Sequence, residues 1–296
     1  MGLLGKFRSM MDSGPRAGGK LDVESRYEML RQSVSGTMSQ FRMARDRKTG
    51  EVVGLKILDD EKTEYFEARF KGLDKPSEGE IALQFDHPNI VKTHAYGKTT
   101  EGFPYILMEF LEGKGLNSLI IAKDPILDGK RLRLIRQMTE AVGVVHSKGF
   151  IHRDVCPRNF ICSVDATKLK LIDFGLTVPA TKEFMQPGNR TGTPQYMAPE
   201  IARRRSTDQR VDIFSLGVTF YQLCCFELPW PSSDMTGKVA LLHDSKEPIP
   251  LTVAQPKIDP NLAKIIHKCM APRPQDRPAD IPALQRDLTM IKSAMI

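Results

Sequence analysis

The chain has 296 residues, of which 41% are hydrophobic and 27% are charged, and its formal net charge is +7 at pH 7. This composition excludes the disordered, collagen-like and coiled-coil classes, and the length suffices for one large domain or two lobes. The positive charge permits an acidic partner but does not require one.

The cysteines and the apolar runs of the sequence indicate in which compartment the protein resides. The five cysteines contain no C-x-x-C pair, which favours a reduced, cytoplasmic chain. No stretch reaches the roughly 18 apolar residues of a membrane span, and the N-terminus lacks the apolar core of a secretory signal. The longest apolar run, Ile213 to Phe226, predicts a buried helix. We therefore expect a soluble protein without a transmembrane segment.

Residues 1–24 are glycine-rich and basic, which predicts a flexible leader. Apolar side chains within it leave open a weak docking to a membrane or a partner. From residue 25 to residue 111 the pattern is strand-rich. The predicted elements are strands at Met38 to Ala44, Glu51 to Leu58, Ile90 to Tyr96 and Tyr105 to Phe110, and helices at Glu61 to Lys71 and from Pro76 to about Phe85.

Beyond Gly115 the pattern changes to long helices. The segment from Lys130 to Ser147 carries apolar residues at helical spacing. A strand-rich first third followed by a helix-rich remainder predicts an α+β protein, with one lobe at 25–111 and a second at 112–296.

The most informative segment is HRDVCPRN at residues 152–159, followed by DFG at residues 173–175. Asp154 and Asn159 lie on one short loop, and Asp173 follows a predicted strand 14 residues after Asn159. Three oxygen-bearing side chains from a loop and a strand end suit Mg²⁺ that carries the phosphates of a nucleotide. Asp154 is expected to be ionised and able to accept a hydroxyl proton.

These motifs, together with APE at residues 198–200, resemble those of the eukaryotic-type protein kinases over about residues 27 to 290. The resemblance implies a two-lobed fold with a small antiparallel-β N-lobe and a larger helical C-lobe, and ATP in the cleft. It makes Asp154 the catalytic base and makes Asn159 and Asp173 the residues that hold Mg²⁺.

The family's VAIK motif corresponds to VGLK here, so the resemblance places Lys56 on the α and β phosphates. Glu78 stands where the family has the helix glutamate that pairs with this lysine. Gly72, Pro76 and Gly79 break the helix and leave Glu78 in its first turn, so Glu80 and Glu67 remain alternatives.

The segment MEFL, which begins at Met108, resembles the hinge. The resemblance makes Met108 the gatekeeper, assigns the adenine edge to backbone groups of Glu109 and Leu111, and adds Ile161 to the nucleotide-binding residues. Two further matches are structural. Asp212 corresponds to the buried aspartate that fixes the catalytic loop, and Arg277 corresponds to the arginine that pairs with the APE glutamate.

The sequence departs from the family at the glycine-rich loop. The loop falls on residues 34–39, where Val34 and Ser39 replace glycines and Gly36 remains. Glycine lets backbone N–H groups approach phosphates closely, so these changes predict a weaker grip. Phe41 stands at the usual valine above the adenine, and Gly54, smaller than the family's alanine, makes room for it.

The catalytic loop also departs from the family pattern. Cys156 replaces the lysine of the Ser/Thr branch, and Arg158 stands where tyrosine-specific members place an arginine, which returns the lost charge. The segment GTPQYMAPE nevertheless resembles the Ser/Thr branch, whose threonine, here Thr193, contacts the catalytic aspartate. Thr181 and Thr191 are candidate phosphorylation sites.

The expected function is a Ser/Thr-type protein kinase that transfers the γ-phosphoryl of Mg·ATP to a hydroxyl of a protein substrate, with no nucleic-acid partner. The alternatives are a pseudokinase that acts as a binding or scaffolding module and, less favoured, a small-molecule phosphotransferase.

Overall fold

The computed structural model describes residues 19–30, 34–35, 39–70, 72–188, 191–231 and 239–294. They form two compact units. The first contains the described residues up to Asp86 together with Val91–Leu111, and the second contains His87–Ile90 and the described residues from Glu112 onward.

The first unit is mainly a sheet. Its elements are β1 (Gly19–Leu21), α1 (Val23–Arg26), β2 (Tyr27–Met29), β3 (Val34–Ser35), β4 (Ser39–Asp46), β5 (Val52–Leu58), α2 (Asp60–Glu67), α3 (Glu78–Ala82), β6 (Thr93–Thr99) and β7 (Pro104–Glu109).

The strands of this sheet follow the order β1-β6-β7-β5-β4-β2, and β3 also pairs with β4. Every pair is antiparallel except β1 with β6, where Gly19 lies opposite Gly97 in a parallel register. The predicted antiparallel sheet therefore needs a correction at this edge. Residues 19–24 also depart from the predicted flexible leader, because Leu21 and Val23 are buried in the core beneath the sheet.

The two faces of the sheet have different roles. Ala44, Val53, Leu55 and Leu107 point into a hydrophobic core. Because side chains alternate along a strand, the residues between them point to the opposite face. That face carries Phe41, Gly54, Lys56 and Met108, with Phe41 opposite Lys56 and Gly54 opposite Met108 in the register.

The boundaries of three predicted elements were wrong. The helix expected from Pro76 to Phe85 is only Glu78–Ala82, because Ser77 and Glu80 form a capping box that fixes its start. The strand expected from Ile90 begins at Thr93, and Ile90 instead forms an isolated bridge with Leu171 in the second unit.

The helix expected through Lys71 ends as α2 at Glu67, and a 3₁₀ turn follows at Ala68–Phe70. Lys71 itself lies outside the described residues.

The second unit is mainly helical, and its described residues also form two small sheets, one of three strands and one of two. Its elements are β8 (Lys114–Gly115), α4 (Leu116–Ile121), α5 (Arg131–Ser147), β9 (Phe150–Ile151), β10 (Phe160–Cys162), β11 (Leu169–Leu171), β12 (Val178–Pro179), α6 (Pro199–Ala202), α7 (Arg210–Cys225), α8 (Leu251–Ala254), α9 (Pro260–Cys269) and α10 (Ile281–Thr289).

Helix α7 lies at the centre of the second unit and is buried along almost its whole length. The buried helix predicted from Ile213 is thus confirmed, although it begins earlier, at Arg210, and ends at Cys225. Phe226 ends it in a left-handed conformation with φ of 66°. Within the described part of the chain, no helix is both long enough and apolar enough to cross a membrane.

The predicted pair of Glu200 and Arg277 is present and buried. The Arg277 guanidinium donates two hydrogen bonds to the Glu200 carboxylate, at 2.7 and 2.8 Å. It also donates to the backbone carbonyl of Ala271 and lies over the ring of Phe214. A bidentate pair with its remaining donors satisfied ties α6 to the segment before α10.

We expect Glu200→Gln to lower the free energy of unfolding by about 3 kcal/mol, because it leaves the buried Arg277 charge without a counter-ion. Urea unfolding at pH 7 measures this change. The control is Asp276→Asn, which breaks a pair with Arg273 whose side chains are 41% and 73% exposed. This control should cost less than about 1 kcal/mol. Equal losses in the two variants would contradict the prediction.

Candidate active site

Lys56 of β5 and Glu78, the first residue of α3, form an ion pair in the first unit. The Lys56 Nζ lies 2.5 Å from the Glu78 Oε1, and the two side chains are 9% and 10% exposed. Burial strengthens the attraction between these charges relative to a surface pair. Lys56 is therefore held extended on the face of the sheet that also carries Phe41 and Gly54.

The other two carboxylates considered as partners of Lys56 have different surroundings. Glu80 belongs to the capping box, where its Oε2 accepts hydrogen bonds from the backbone N–H and the hydroxyl of Ser77. Glu67 is exposed at the end of α2. Among the three carboxylates, the structure therefore pairs Glu78 with the lysine.

Gly79 explains how Glu78 reaches the lysine. A Cβ atom added at Gly79 would lie 2.4 Å from the Cβ of Tyr96 and 2.6 Å from its Cγ. The backbone of α3 thus packs directly on β6, at a distance that only glycine permits. Sequence reasoning treated Gly79 as a helix breaker and missed this packing role; its position next to Glu78 was the available signal.

Asp154 stands on the loop between β9 and β10 in the second unit. The Asn159 Nδ2 donates to the Asp154 Oδ2 at 3.0 Å and to the Asp154 backbone carbonyl at 2.7 Å. Asn159 ends a 3₁₀ turn, Pro157–Asn159, that brings the two residues together. The spacing of five residues in the sequence is therefore a direct contact in the structure.

Thr193 holds the other oxygen of the same carboxylate. Its backbone N–H and its hydroxyl both donate to the Asp154 Oδ1, each at 2.8 Å. Gly192 allows this approach, because it has φ of +116° and a Cβ there would lie 2.6 Å from the carbonyl oxygen of Arg153. The predicted contact between Thr193 and Asp154 is confirmed.

Asp212 of α7 fixes the start of this loop through hydrogen bonds to its backbone. Its fully buried carboxylate accepts hydrogen bonds from the backbone N–H groups of His152 and Arg153, both at 2.8 Å. The His146 Nε2 lies 2.8 Å away as well. Burial would raise the pKa of Asp212, but these hydrogen bonds and the neighbouring histidines outweigh it and lower the pKa. The predicted anchoring of the loop is confirmed.

Cys156 and Arg158 differ in their surroundings. Cys156 is buried, and burial raises the pKa of its thiol to about 12, so that it carries no charge at neutral pH. Arg158 is exposed, and its Nη2 lies 3.5 Å from the hydroxyl oxygen of Thr193. Since Thr193 binds Asp154, the guanidinium stands close to that carboxylate.

Asp173 follows β11 beside the catalytic loop. The backbone N–H of Ile172 donates to the carbonyl of Asn159 at 3.0 Å, and the Asp173 Oδ1 accepts from the N–H of Gly175 at 2.9 Å. Ile161 is half-buried on β10 and pairs with Gly115 of β8. Asn159 and Asp173 thus come from adjacent backbone segments.

The sheet face around Lys56 also carries three other residues predicted to bind a nucleotide, Phe41, Gly54 and Met108. The ring of Phe41 and the side chain of Met108 both lie against Gly54. The backbone of Val34 pairs with Phe41. Gly36, the remaining glycine of the predicted phosphate loop, lies outside the described residues.

Glu109 and Leu111 lie at the end of β7 and just beyond it. The backbone N–H of Glu109 donates to the carbonyl of Lys92 at 2.9 Å, and the Glu109 Oε1 accepts from the N–H of Lys92 at 2.7 Å. The backbone N–H of Glu109 is therefore engaged within the first unit.

Arg153 is buried at the start of the catalytic loop. Its Nη2 donates to the carbonyl of Phe184, while its Nε and Nη1 have no hydrogen-bond partner among the described residues. Burial lowers the pKa of Arg153 to about 10. Thr191 is also buried, whereas Thr181 is exposed and its hydroxyl donates to Glu183.

Comparison with known proteins agrees with this geometry. The family model described as the protein kinase domain matches residues 27–288. The chain is 31% identical over 271 residues to the serine/threonine-protein kinase pkn3 of Myxococcus xanthus, covering 86% of this chain and 48% of that protein. It is 30% identical over 278 residues to the serine/threonine-protein kinase PknB of Mycobacterium leprae, covering 92% and 44%.

The chain therefore belongs to the protein kinase domain family, and its fold is the two-lobed α+β fold of that family. It spans less than half the length of these curated relatives.

We expect Gly79→Ala to lower kcat/KM for phosphoryl transfer roughly 100-fold, because the new Cβ displaces α3 and withdraws Glu78 from Lys56. In an unobstructed helix the same change would stabilise the protein by about 0.5–1 kcal/mol. Steady-state kinetics and thermal unfolding measure the two effects. A variant with raised stability and unchanged activity would contradict the packing role of Gly79.

Proposed function

We propose that this protein is a Ser/Thr-type protein kinase, which transfers the γ-phosphoryl group of Mg·ATP to a hydroxyl of a protein substrate. The observation that carries the proposal is the Asp154 carboxylate, held at one oxygen by Thr193 and at the other by Asn159. The matched family and the names of the relatives support it.

Asp154 acts as the base. Three hydrogen bonds fix the orientation of its carboxylate, so it can accept a proton from an acceptor hydroxyl without first reorganising. Thr193 acts as a positioning residue, because both of its donors bind the Asp154 Oδ1.

The residues beside Asp154 fit Mg²⁺. Asn159 uses its amide nitrogen on Asp154, which leaves the amide oxygen as the ligand atom, and Asp173 adds a carboxylate. The described residues contain no cluster of three or more His, Cys, Asp or Glu suited to a metal. A small protein ligand set is what Mg²⁺ prefers when phosphates and waters complete its shell. When bound, Mg²⁺ neutralises charge on the transferred phosphates.

Lys56 and Arg158 hold the remaining phosphate charge in this proposal. Glu78 keeps Lys56 extended, and Arg158 supplies the cation that the neutral Cys156 does not.

The nucleotide contacts retain the assignments made from the sequence. The residues assigned to the nucleotide are Val34, Gly36, Phe41, Gly54, Met108, the backbone of Glu109 and Leu111, and Ile161, and each stays a prediction from the sequence.

Cytoplasmic location stays a prediction, supported by five cysteines that are all free and buried.

Two observations weigh against the alternatives. A pseudokinase has no need of the positioned carboxylate, yet Asp154, Asn159, Lys56 and Glu78 all keep their contacts. A small-molecule phosphotransferase has no need of the platform that the Glu200–Arg277 pair supports.

We keep Thr181 and Thr191 as candidate phosphorylation sites. Thr181 is accessible, whereas the buried Thr191 becomes accessible only if its segment moves.

The first test is the intact mass of the protein after incubation with Mg·ATP, alone and with a pool of protein substrates. We expect steps of about 80 Da on the protein or the substrates, and a rate roughly 100-fold lower for Asp154→Asn, which removes the base. Thermal unfolding of Asp154→Asn checks that it is folded. Mg·ATP that binds without any transfer under these conditions would favour the pseudokinase.

Arg158 is tested separately. We expect Arg158→Ala to lower kcat roughly 100-fold while KM for ATP changes little, because the charge acts on the transferred group. The kcat of Arg158→Lys should lie between those of wild type and Arg158→Ala, since lysine keeps the charge but loses the planar geometry. Lys182→Ala, which removes an exposed cation of the segment between β12 and α6, is the control. An equal loss of kcat in Lys182→Ala would show a general charge effect instead.

A further inference from the structure

Gly54 is the contact point of two larger side chains in the first unit. A Cβ atom added at Gly54 would lie 2.9 Å from both Cε2 and Cζ of Phe41, and 3.1 Å from Cγ of Met108. The ring of Phe41 therefore occupies the space that an alanine side chain would need. Because the obstructing atoms are the far end of a side chain, a larger residue at position 54 would displace the ring rather than the strands.

The register of the sheet fixes where this ring stands. Gly54 pairs with Met43, and Phe41 lies two residues further along the same strand, so the ring crosses diagonally to Gly54. Lys56 pairs with Phe41 directly and points to the same face. The ring thus borders the part of the sheet where the buried Lys56–Glu78 pair lies. It is half-buried, so part of it stays accessible.

We propose that Phe41 and Gly54 form a coupled pair that determines how the base of the nucleotide is held. Gly54 leaves room for the end of the ring to lie over the strand, and the ring then offers a stacking surface to a flat heteroaromatic base. This inference rests on the proposed function, because it concerns the same nucleotide site. It names stacking on an aromatic ring as the mode of recognition.

The pair explains why two departures from the family occur together. An aliphatic side chain at position 41 has no π face, so a base can only pack against its methyl groups. An aromatic ring at that position gains stacking with the base, but it needs the volume that Gly54 provides. Either substitution alone is therefore unfavourable, whereas the two together give a sheet surface on which the ring packs without a clash.

The experiment is a double-mutant cycle on the full chain with wild type, Phe41→Val, Gly54→Ala and the double variant. Calorimetry measures the affinity of each protein for Mg·ATP and for Mg·tripolyphosphate, which lacks the base. We expect Gly54→Ala to weaken Mg·ATP about tenfold, because the displaced ring enters the space of the base. The double variant should bind Mg·ATP more tightly than Gly54→Ala does.

Phe41→Val alone should weaken Mg·ATP about fivefold and leave Mg·tripolyphosphate within about twofold of wild type, since only stacking is lost. Two results would overturn the proposal. One is a double variant whose loss equals the product of the single losses. The other is an equal weakening of both ligands in Phe41→Val.

Thermal unfolding without nucleotide separates this proposal from the proposed function. Gly54→Ala should lower Tm by about 3 °C, and the added Phe41→Val should recover most of it, because the crowding is removed. The control is Gly115→Ala, where the nearest atom to a new Cβ is the Ser118 Oγ at 3.8 Å. Independent Tm shifts would refute the coupling. Wild type that binds neither ligand would refute the proposed function and the stacking, whereas the Tm cycle would still decide the coupling.

Discussion

The catalytic loop depends on one buried charge, the carboxylate of Asp212. A carboxylate without solvent exposure is costly unless hydrogen bonds replace its water, and here two backbone N–H groups and His146 do so. These bonds fix the backbone at His152 and Arg153, and Arg153 adopts φ of +67° as a result of the turn. Asp154 follows directly, so the anchor of α7 determines where the proposed base stands. The anchor belongs to a helix that is buried along almost its whole length.

Glycines control a close approach in each of the two units. Gly79 brings the backbone of α3 onto Tyr96, which places Glu78 beside Lys56 in the first unit. Gly192 brings Thr193 to Asp154 in the second unit. In both places a single Cβ would collide with atoms that cannot easily move. The charged residues carry the chemistry, but backbone packing through these glycines determines whether they meet.

Two departures from the family pattern have neighbouring changes that offset them. Cys156 is buried and neutral, and Arg158 offers a charge close to the same carboxylate through Thr193. Phe41 is larger than valine, and Gly54 gives it room. Considered singly, Cys156 and Phe41 indicate a loss of charge and a loss of space. Considered together with Arg158 and Gly54, each loss is offset by a different side chain nearby.

The sequence by itself predicted the strand-rich and helix-rich parts of the chain and the loop that carries Asp154 and Asn159, whose short spacing sets local geometry. The pairs Thr193–Asp154 and Glu200–Arg277, which are distant in sequence, were implied by the resemblance to the protein kinases. Only the tertiary structure decided among Glu78, Glu80 and Glu67, because a capping box and the packing of Gly79 on Tyr96 select the partner of Lys56. It also showed that residues 19–21 belong to the sheet, since β1 pairs with β6, whose paired residues lie 78 positions later in the chain. Such long-range contacts leave no periodic signal in the segment itself, and their energy comes from burial against residues distant in sequence.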